Sequence, residues 1–243
     1  MKTFGLIGFP LSHSFSASYF TRKFHDLGLD YSYLNFPIQS LDRLQEIVTT
    51  NPSLVGLNVT IPHKINVLDF CGLLTDEANA IGAVNCIRIA SDGKLEGHNT
   101  DWIGFKQSLE KTLKKGVANK ALVLGTGGSS LAICYALERM GIPFQLVSRV
   151  GVKGCLTYSQ LSKEVLQNHN IVVNTTPLGM FPNFETCPNI PYQFLSKQHI
   201  CFDLIYNPEK TPFLSKAEQQ GSTIKNGLEM LEIQAEESWK IWK

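Results

Sequence analysis

The sequence predicts an α/β fold of two units around a cleft, the second a doubly wound parallel sheet, and three features of its 243 residues support this. Short apolar runs alternate with helix-periodic stretches almost from end to end. One such run, at 121–124, breaks into Gly125, Gly127 and Gly128 and reopens as a helical pattern through residue 140, as in a Rossmann-type strand, turn and helix. A helical segment near residue 100 separates that motif from the strands before it. This places a unit of residues 1–100 ahead of one of 101–225, with a closing helix in 226–243 returning to complete the first.

In the first unit, residues 3–9 read as a strand, followed by a helix with Ser16 as its N-cap and Gly28 as its stop. Residues 31–36 form a second strand, Ser40 caps a helix whose Leu41, Leu44, Ile47 and Val48 share one face, and 54–60 returns as a strand. Residues 83–90 and 94–98, joined at Asp92 and Gly93, read as a hairpin at a sheet edge. Thr100 or Asp101 then caps a longer helix that aligns Phe105, Leu109 and Leu113 before Lys114, Lys115 and Gly116 end it. Mainly parallel strands follow at 121–124, 144–148, 171–174 and 200–204, and Leu228, Leu231, Ala235, Trp239 and Trp242 give the last helix a bulky apolar stripe.

With 22 basic and 21 acidic residues the formal net charge is +1, and no basic run suggests nucleic acid or an anionic membrane surface. No stretch has the length and apolarity of a bilayer span, and the first residues lack a signal-peptide pattern, so a cytoplasmic protein is expected. The six cysteines (Cys71, Cys86, Cys134, Cys155, Cys187 and Cys201) show no C-x-x-C spacing and read as buried thiols. The six histidines are scattered, so no metal site is expected, and the oligomeric state expected is a monomer or a homodimer.

Gly125 permits a tight turn, while Gly127 and Gly128 let main-chain N–H groups approach an anion at the positive end of the helix that follows. Such a turn cradles a pyrophosphate, although the G-x-G-G spacing equally suits a strand-to-helix turn that binds nothing. The next strand ends in Ser148, Arg149 and Val150. Recognition of free ribose hydroxyls calls for an acid about 20 residues past the glycines. No acid lies between Gly141 and Lys153, and the guanidinium of Arg149 matches a 2′-phosphate instead, which favours NADP over NAD. A solvated strand-tip arginine is the ordinary alternative.

Four polar clusters, at 8–16, 58–64, 82–85 and 97–101, each follow or end an apolar run, so they gather at one sheet edge. Their hydroxyls, amides, one ammonium and one carboxylate suit a small polyhydroxy acid. Taken singly, each has a plainer role: Ser16 and Asp101 as helix caps, Asn58 and Thr60 as strand-end residues, Lys64 as a solvated lysine. Gln234 puts a neutral amide beside the apolar stripe of the last helix, where it needs a partner, either a ligand or a core group.

These motifs resemble the shikimate dehydrogenase family, in the family's order and over nearly the whole chain. They run G-x-P-x-x-H-S-x-S at 8–16, N-V-T-I-P-x-K at 58–64, G-A-V-N at 82–85 and N-T-D at 99–101, then the glycine turn. N-x-T-P-x-G-M at 174–180, Asp203 with Tyr206, and N-G-L-E-M-L-E-I-Q at 226–234 complete the set. The resemblance implies reversible reduction of 3-dehydroshikimate to shikimate by NADPH, in the biosynthesis of chorismate and the aromatic amino acids. It implies Lys64 and Asp101 as the catalytic pair and Ser14, Ser16, Asn58, Thr60, Asn85, Tyr206 and Gln234 as the groups that hold substrate. For the cofactor it implies Gly125, Thr126, Gly127, Gly128, Ser129, Ser148 and Arg149, with Leu204, Gly227 and Asp76 beside them.

The chemistry suits the pair. Charge develops on a carbonyl oxygen as its carbon is reduced; an ammonium stabilises and then protonates that oxygen, and a carboxylate orients the ammonium. Two departures stand out. Ser148-Arg149-Val150 lacks the threonine of the usual Asn-Arg-Thr tip, which leaves Arg149, with Lys153 as a neighbour, most of the cofactor discrimination. Cys86 replaces a common threonine. Thr75 and Asp76, by contrast, resemble a family position that approaches the nicotinamide side, and they also read as an ordinary helix cap. The alternatives are a quinate/shikimate dehydrogenase with relaxed cofactor use, and a non-catalytic sensor of NADPH or shikimate on the same fold.

Overall fold

The computed structural model describes residues 1–11, 15–114 and 116–243, so Ser14 and Lys115 lie outside the described residues. Its chain divides into two compact units, Met1–Thr100 with Ala235–Lys243, and Asp101–Gln234. Residues 226–234 of the segment expected to complete the first unit thus group with the second.

The first unit holds strands β1 (Lys2–Gly8), β2 (Tyr31–Pro37), β3 (Leu54–Val59), β4 (Leu73–Leu74), β5 (Cys86–Ile89) and β6 (Leu95–His98), with helices α1 (Phe15–Asp26), α2 (Leu44–Thr50) and α3 (Asp76–Ile81). The sheet runs β2-β1-β3-β5-β6-β4. β1 lies parallel to β2 and β3, and β5 runs antiparallel to β3 and β6, so this sheet is mixed, with its antiparallel pairs at the expected hairpin. The expected hairpin forms but is not the edge, because β4 adds parallel to β6. Alternation along the strands makes both faces apolar. Phe4 and Leu6 pack with Phe20, Phe24, Trp239 and Trp242, whereas Ile7, Leu57 and Val59 pack with Leu44, Ile47 and Ala78 on the opposite face.

The second unit comprises α4 (Asp101–Glu110), β7 (Ala121–Leu124), α5 (Gly128–Arg139), β8 (Phe144–Ser148), β9 (Leu156–Thr157), α6 (Lys163–Gln167), β10 (Ile171–Asn174), β11 (Ile200–Asp203), α7 (Pro212–Gln219) and β12 (Thr223–Lys225). A last helix, α8 (Leu228–Trp242), starts in this unit and ends in the first. The six strands run β12-β11-β10-β7-β8-β9, all parallel, which is the doubly wound order with its reversal between β7 and β10. Successive residues feed opposite cores: Leu122, Leu124, Val172 and Cys201 meet Leu166, Phe213 and Leu214, while Val123, Val173 and Phe202 meet Phe105, Ile133 and Leu137. No helix among the described residues is long and apolar enough to cross a membrane.

Several local expectations shift. Ser16 does not cap α1 but is its second residue, because Phe15 joins the helix and stacks on Tyr19 one turn later. Ser40 accepts the Asp42 N–H at 3.3 Å to cap a single 3₁₀ turn that leads into α2. Helix α4 stops at Glu110, short of Leu113, because the amide and hydroxyl of Thr112 both donate to the Leu109 carbonyl, each at 2.8 Å. Helix α5 begins at Gly128, so the last glycine of the turn is already helical.

Candidate functional site

In the first unit the polar clusters meet through the main chain. The Phe9 N–H donates to Ile61 O at 2.9 Å, Thr60 N–H to Ile7 O at 2.9 Å, Val59 N–H to Asn85 O at 2.8 Å and Asn85 N–H to His98 O at 3.1 Å. Side chains then brace the edge. Asn58 is buried; its carbonyl accepts the Tyr33 hydroxyl at 2.8 Å, and its amide donates to Ser238 Oγ at 3.0 Å. Burial raises the Tyr33 phenol well above its usual range, outweighing the hydrogen bond with Ser16. Asn85 Nδ2 donates to Thr100 Oγ1 at 2.9 Å and Asn85 Oδ1 accepts the Thr100 N–H at 2.6 Å. Asn99 Nδ2 donates to Ala83 O at 2.8 Å.

Lys64 sits half-buried in the turn after this edge. Its carbonyl accepts the Val84 N–H at 2.7 Å, and the buried imidazole of its neighbour His63 lies 2.7 Å from Ile38 O through Nε2. Thr60, half-buried, accepts the His63 N–H at 3.0 Å. Ser16 is buried on α1. Asp76 is exposed at the start of α3, behind the true cap Thr75, whose Oγ1 accepts the Ala78 N–H at 3.2 Å. The structure therefore brings Asn58, Thr60, Lys64 and Asn85 to one edge. Thr100, which holds Asn85, stands in the N-T-D motif, whereas Tyr33 and Ser238, which hold Asn58, were not named from the sequence, although Ser238 stands four residues past Gln234 on α8 and that spacing was a usable signal.

In the second unit, Asp101 is the buried first residue of α4. Gln234 is buried and donates to Leu231 O at 2.9 Å. Tyr206 is half-buried past β11, and burial raises its phenol. Ser148 ends β8, and the glycine turn, Arg149 and Leu204 follow the carboxyl ends of β7, β8 and β11, the edge where open α/β sheets bind ligands. Gly125 has φ +114°, and a Cβ there would meet Thr175 Oγ1 at 2.6 Å; that hydroxyl in turn donates to Leu124 O at 2.7 Å. Thr126 is exposed, and Gly128 and Ser129 open α5, where the first N–H groups have no acceptor within the helix. A Cβ on Gly127, the N-cap, would touch no protein atom within 4 Å. Ser148 is buried and accepts the Val150 N–H at 3.3 Å, while Arg149 is exposed. Gly227 is obligatory on steric grounds, since a Cβ would overlap the Leu204 carbonyl; its N–H donates to Ile205 O at 3.1 Å.

Asp203 is buried between these segments. It accepts the Thr211 hydroxyl at 2.6 Å, Asn174 Nδ2 at 3.0 Å and the Ile205 N–H at 3.1 Å. Burial pushes its carboxyl up to about 7 against the downward pull of those three donors. Among the described residues no group of His, Cys, Asp and Glu is arranged to hold a metal ion. An open helix N-terminus behind a glycine turn, followed by an exposed guanidinium on the next strand tip, fits a phosphorylated dinucleotide.

Residues 6–87 match the family described as the shikimate dehydrogenase substrate binding domain. An NADP(+) shikimate dehydrogenase of Methanococcus maripaludis is 37% identical over 257 residues, covering 99% of this chain and 91% of that protein. The crystal structure of shikimate dehydrogenase from Aquifex aeolicus is similar with a TM-score of 0.89 at 33% identity, over 100% of this chain and 92% of that one. The shikimate 5-dehydrogenase of Thermus thermophilus, solved with NADP(H) and shikimate, gives a TM-score of 0.87 at 28% identity, over 100% and 94% of the two chains.

Proposed function

Because this chain belongs to the shikimate dehydrogenase family, we propose that it catalyses the reversible NADPH-dependent reduction of 3-dehydroshikimate to shikimate with Lys64 as proton donor and Asp101 as its partner. The chain is an oxidoreductase acting on a CH–OH group, with NADP as its cofactor. The observation that carries the assignment of residues is the braced edge of the first unit. It clamps the main chain of Lys64 through Val84 and that of Thr100, the residue before Asp101, through Asn85.

Bound NADPH supplies the hydride equivalent to the ketone carbon. The Lys64 ammonium stabilises negative charge growing on the ketone oxygen and delivers a proton to it; in the oxidation of shikimate the same amine receives that proton. Asp101 orients the ammonium and accepts a hydrogen bond from a substrate hydroxyl. Ser14, Ser16, Asn58, Thr60, Asn85, Tyr206 and Gln234 hold the hydroxyls and carboxylate of the substrate. The first N–H groups of α5, with Gly125, Thr126, Gly127, Gly128 and Ser129, would take the pyrophosphate, Ser148 and Arg149 would take the 2′-phosphate, and Leu204, Gly227 and Asp76 would add further contacts to the cofactor. A cytoplasmic location and a monomeric or homodimeric state complete the proposal.

The test is NADPH formation from shikimate and NADP⁺ by the purified protein and by Lys64→Ala. The expected result is turnover by the first and a loss of roughly 10²–10⁴-fold in kcat for the second. Near-normal turnover by Lys64→Ala refutes the role of the lysine, and binding without turnover by the unaltered protein makes it a sensor. Quinate and NAD⁺ run in parallel define substrate and cofactor range.

A further inference from the structure

Asp203 has 0% exposure, yet none of the chemistry above uses it. An apolar residue would fill such a position at less cost than a carboxylate, which must find donors for its lone pairs. Its three donors come from separate segments: Asn174 at the end of β10, Ile205 just past β11, and Thr211, which also accepts the Leu214 N–H at 3.3 Å to cap α7. Asn174 extends the network, because its side-chain oxygen accepts the Thr176 hydroxyl at 2.6 Å and its backbone carbonyl accepts the Leu204 N–H at 3.0 Å.

The consequence falls on residues 204–206. The Leu204 N–H is tied to β10, the Ile205 N–H to the carboxylate of Asp203, and the Ile205 carbonyl to the Gly227 N–H. Three successive main-chain groups are thus fixed immediately before Tyr206, which leaves that residue little freedom in how it departs from the sheet. A donor set spread over three segments makes one carboxylate the common anchor of the turn.

We propose that Asp203 is a positioning residue for shikimate binding, setting through Leu204 and Ile205 the placement of the Tyr206 side chain that holds substrate. This rests on the substrate-holding role given to Tyr206 above. Asp203 touches neither substrate nor cofactor; it acts through the turn.

A double-mutant cycle on the full chain separates the two claims, with shikimate affinity measured by calorimetry and KM and kcat measured alongside. Asp203→Asn and Tyr206→Phe are each expected to weaken shikimate binding about tenfold, with KM moving more than kcat, and the double variant to bind about as weakly as either single one. Losses that multiply to about a hundredfold in the double variant, or normal shikimate affinity in Asp203→Asn, overturn the inference while leaving the role of Tyr206 intact. Normal affinity in Tyr206→Phe overturns that role and the inference with it. Should Asp203→Asn fail to fold, Thr211→Val removes one of the three donors together with the cap of α7; it is expected to weaken shikimate binding, with Thr211→Ser restoring it, and unchanged binding in Thr211→Val overturns the inference.

Discussion

Asn85 grips Thr100 through both ends of its side-chain amide, Nδ2 donating to the threonine hydroxyl at 2.9 Å and Oδ1 accepting the Thr100 N–H at 2.6 Å. Both residues are almost completely buried, so neither bond is exchanged for water without cost. Asn85→Ala leaves the buried Thr100 N–H without this acceptor, and the expected loss is about 2 kcal/mol of stability by chemical denaturation. Because Asp101 follows Thr100 directly, kcat is expected to fall more than the stability loss alone explains. Unchanged kcat in the folded variant would show that the pair braces the edge without aiming the carboxylate.

Arg149 stands exposed past β8, with no acid between Gly141 and Lys153 to hold ribose hydroxyls. Arg149→Ala is expected to raise the Kd for NADP⁺ roughly ten- to a hundredfold while changing that for NAD⁺ little, since only a charge-assisted contact to the 2′-phosphate is lost. Calorimetry with both nucleotides checks this without turnover. Equal weakening of both nucleotides would assign Arg149 to some other part of the dinucleotide.

At Gly227 any side chain collides with the Leu204 carbonyl, and that atom belongs to backbone, which cannot rotate away. Gly227→Ala is therefore expected to cost about 1–3 kcal/mol in denaturation and to weaken NADP⁺ binding through displacement of Leu204. A variant as stable as the parent would mean that the turn relaxes freely.

Glu229 on α8 is paired with Lys111 and, at 2.6 Å, with Lys225, and it accepts the Ser108 hydroxyl at 3.1 Å. These partners hold its carboxyl down at about 2, the lysines contributing most. A depressed carboxylate stabilises the fold above its unfolded pKa, near 4.5, and that contribution is lost as pH falls through about 2. Glu229→Gln is expected to cost about 1 kcal/mol at neutral pH, with the difference from the parent closing as the solution is acidified. A pH-independent difference in melting curves would point to packing instead.

How far the sequence reaches is visible in particular elements. The strand at 121–124, its glycine turn and the following helix were legible because apolar run, glycine and helical period coincide within twenty residues or so. β4, β9 and β12 were not, since each is only two or three residues long and owes its state to a neighbouring strand. Ser16 was misplaced for a related reason: a serine near a helix start suits a cap or a first turn, and the i,i+4 stacking of Phe15 on Tyr19 decided between them. Among the candidate site residues, Asn58, Thr60, Lys64 and Asn85 were named from motifs, but Tyr33 and Ser238, which brace Asn58, were not, because they come from distant parts of the chain.

The amino-acid order by itself determined the α/β class, the position of the glycine turn and the identities of the polar groups at the strand ends. These are local matters, set by apolar period, glycine and side-chain chemistry within a few residues of one another. Only the tertiary structure decided that β4 takes the sheet edge beyond the hairpin, that Gly227 must lie against Leu204, and that Asp203 gathers donors from three segments. Such arrangements depend on which distant segments share a core, and steric exclusion and hydrogen-bond satisfaction across that core leave no mark in local sequence.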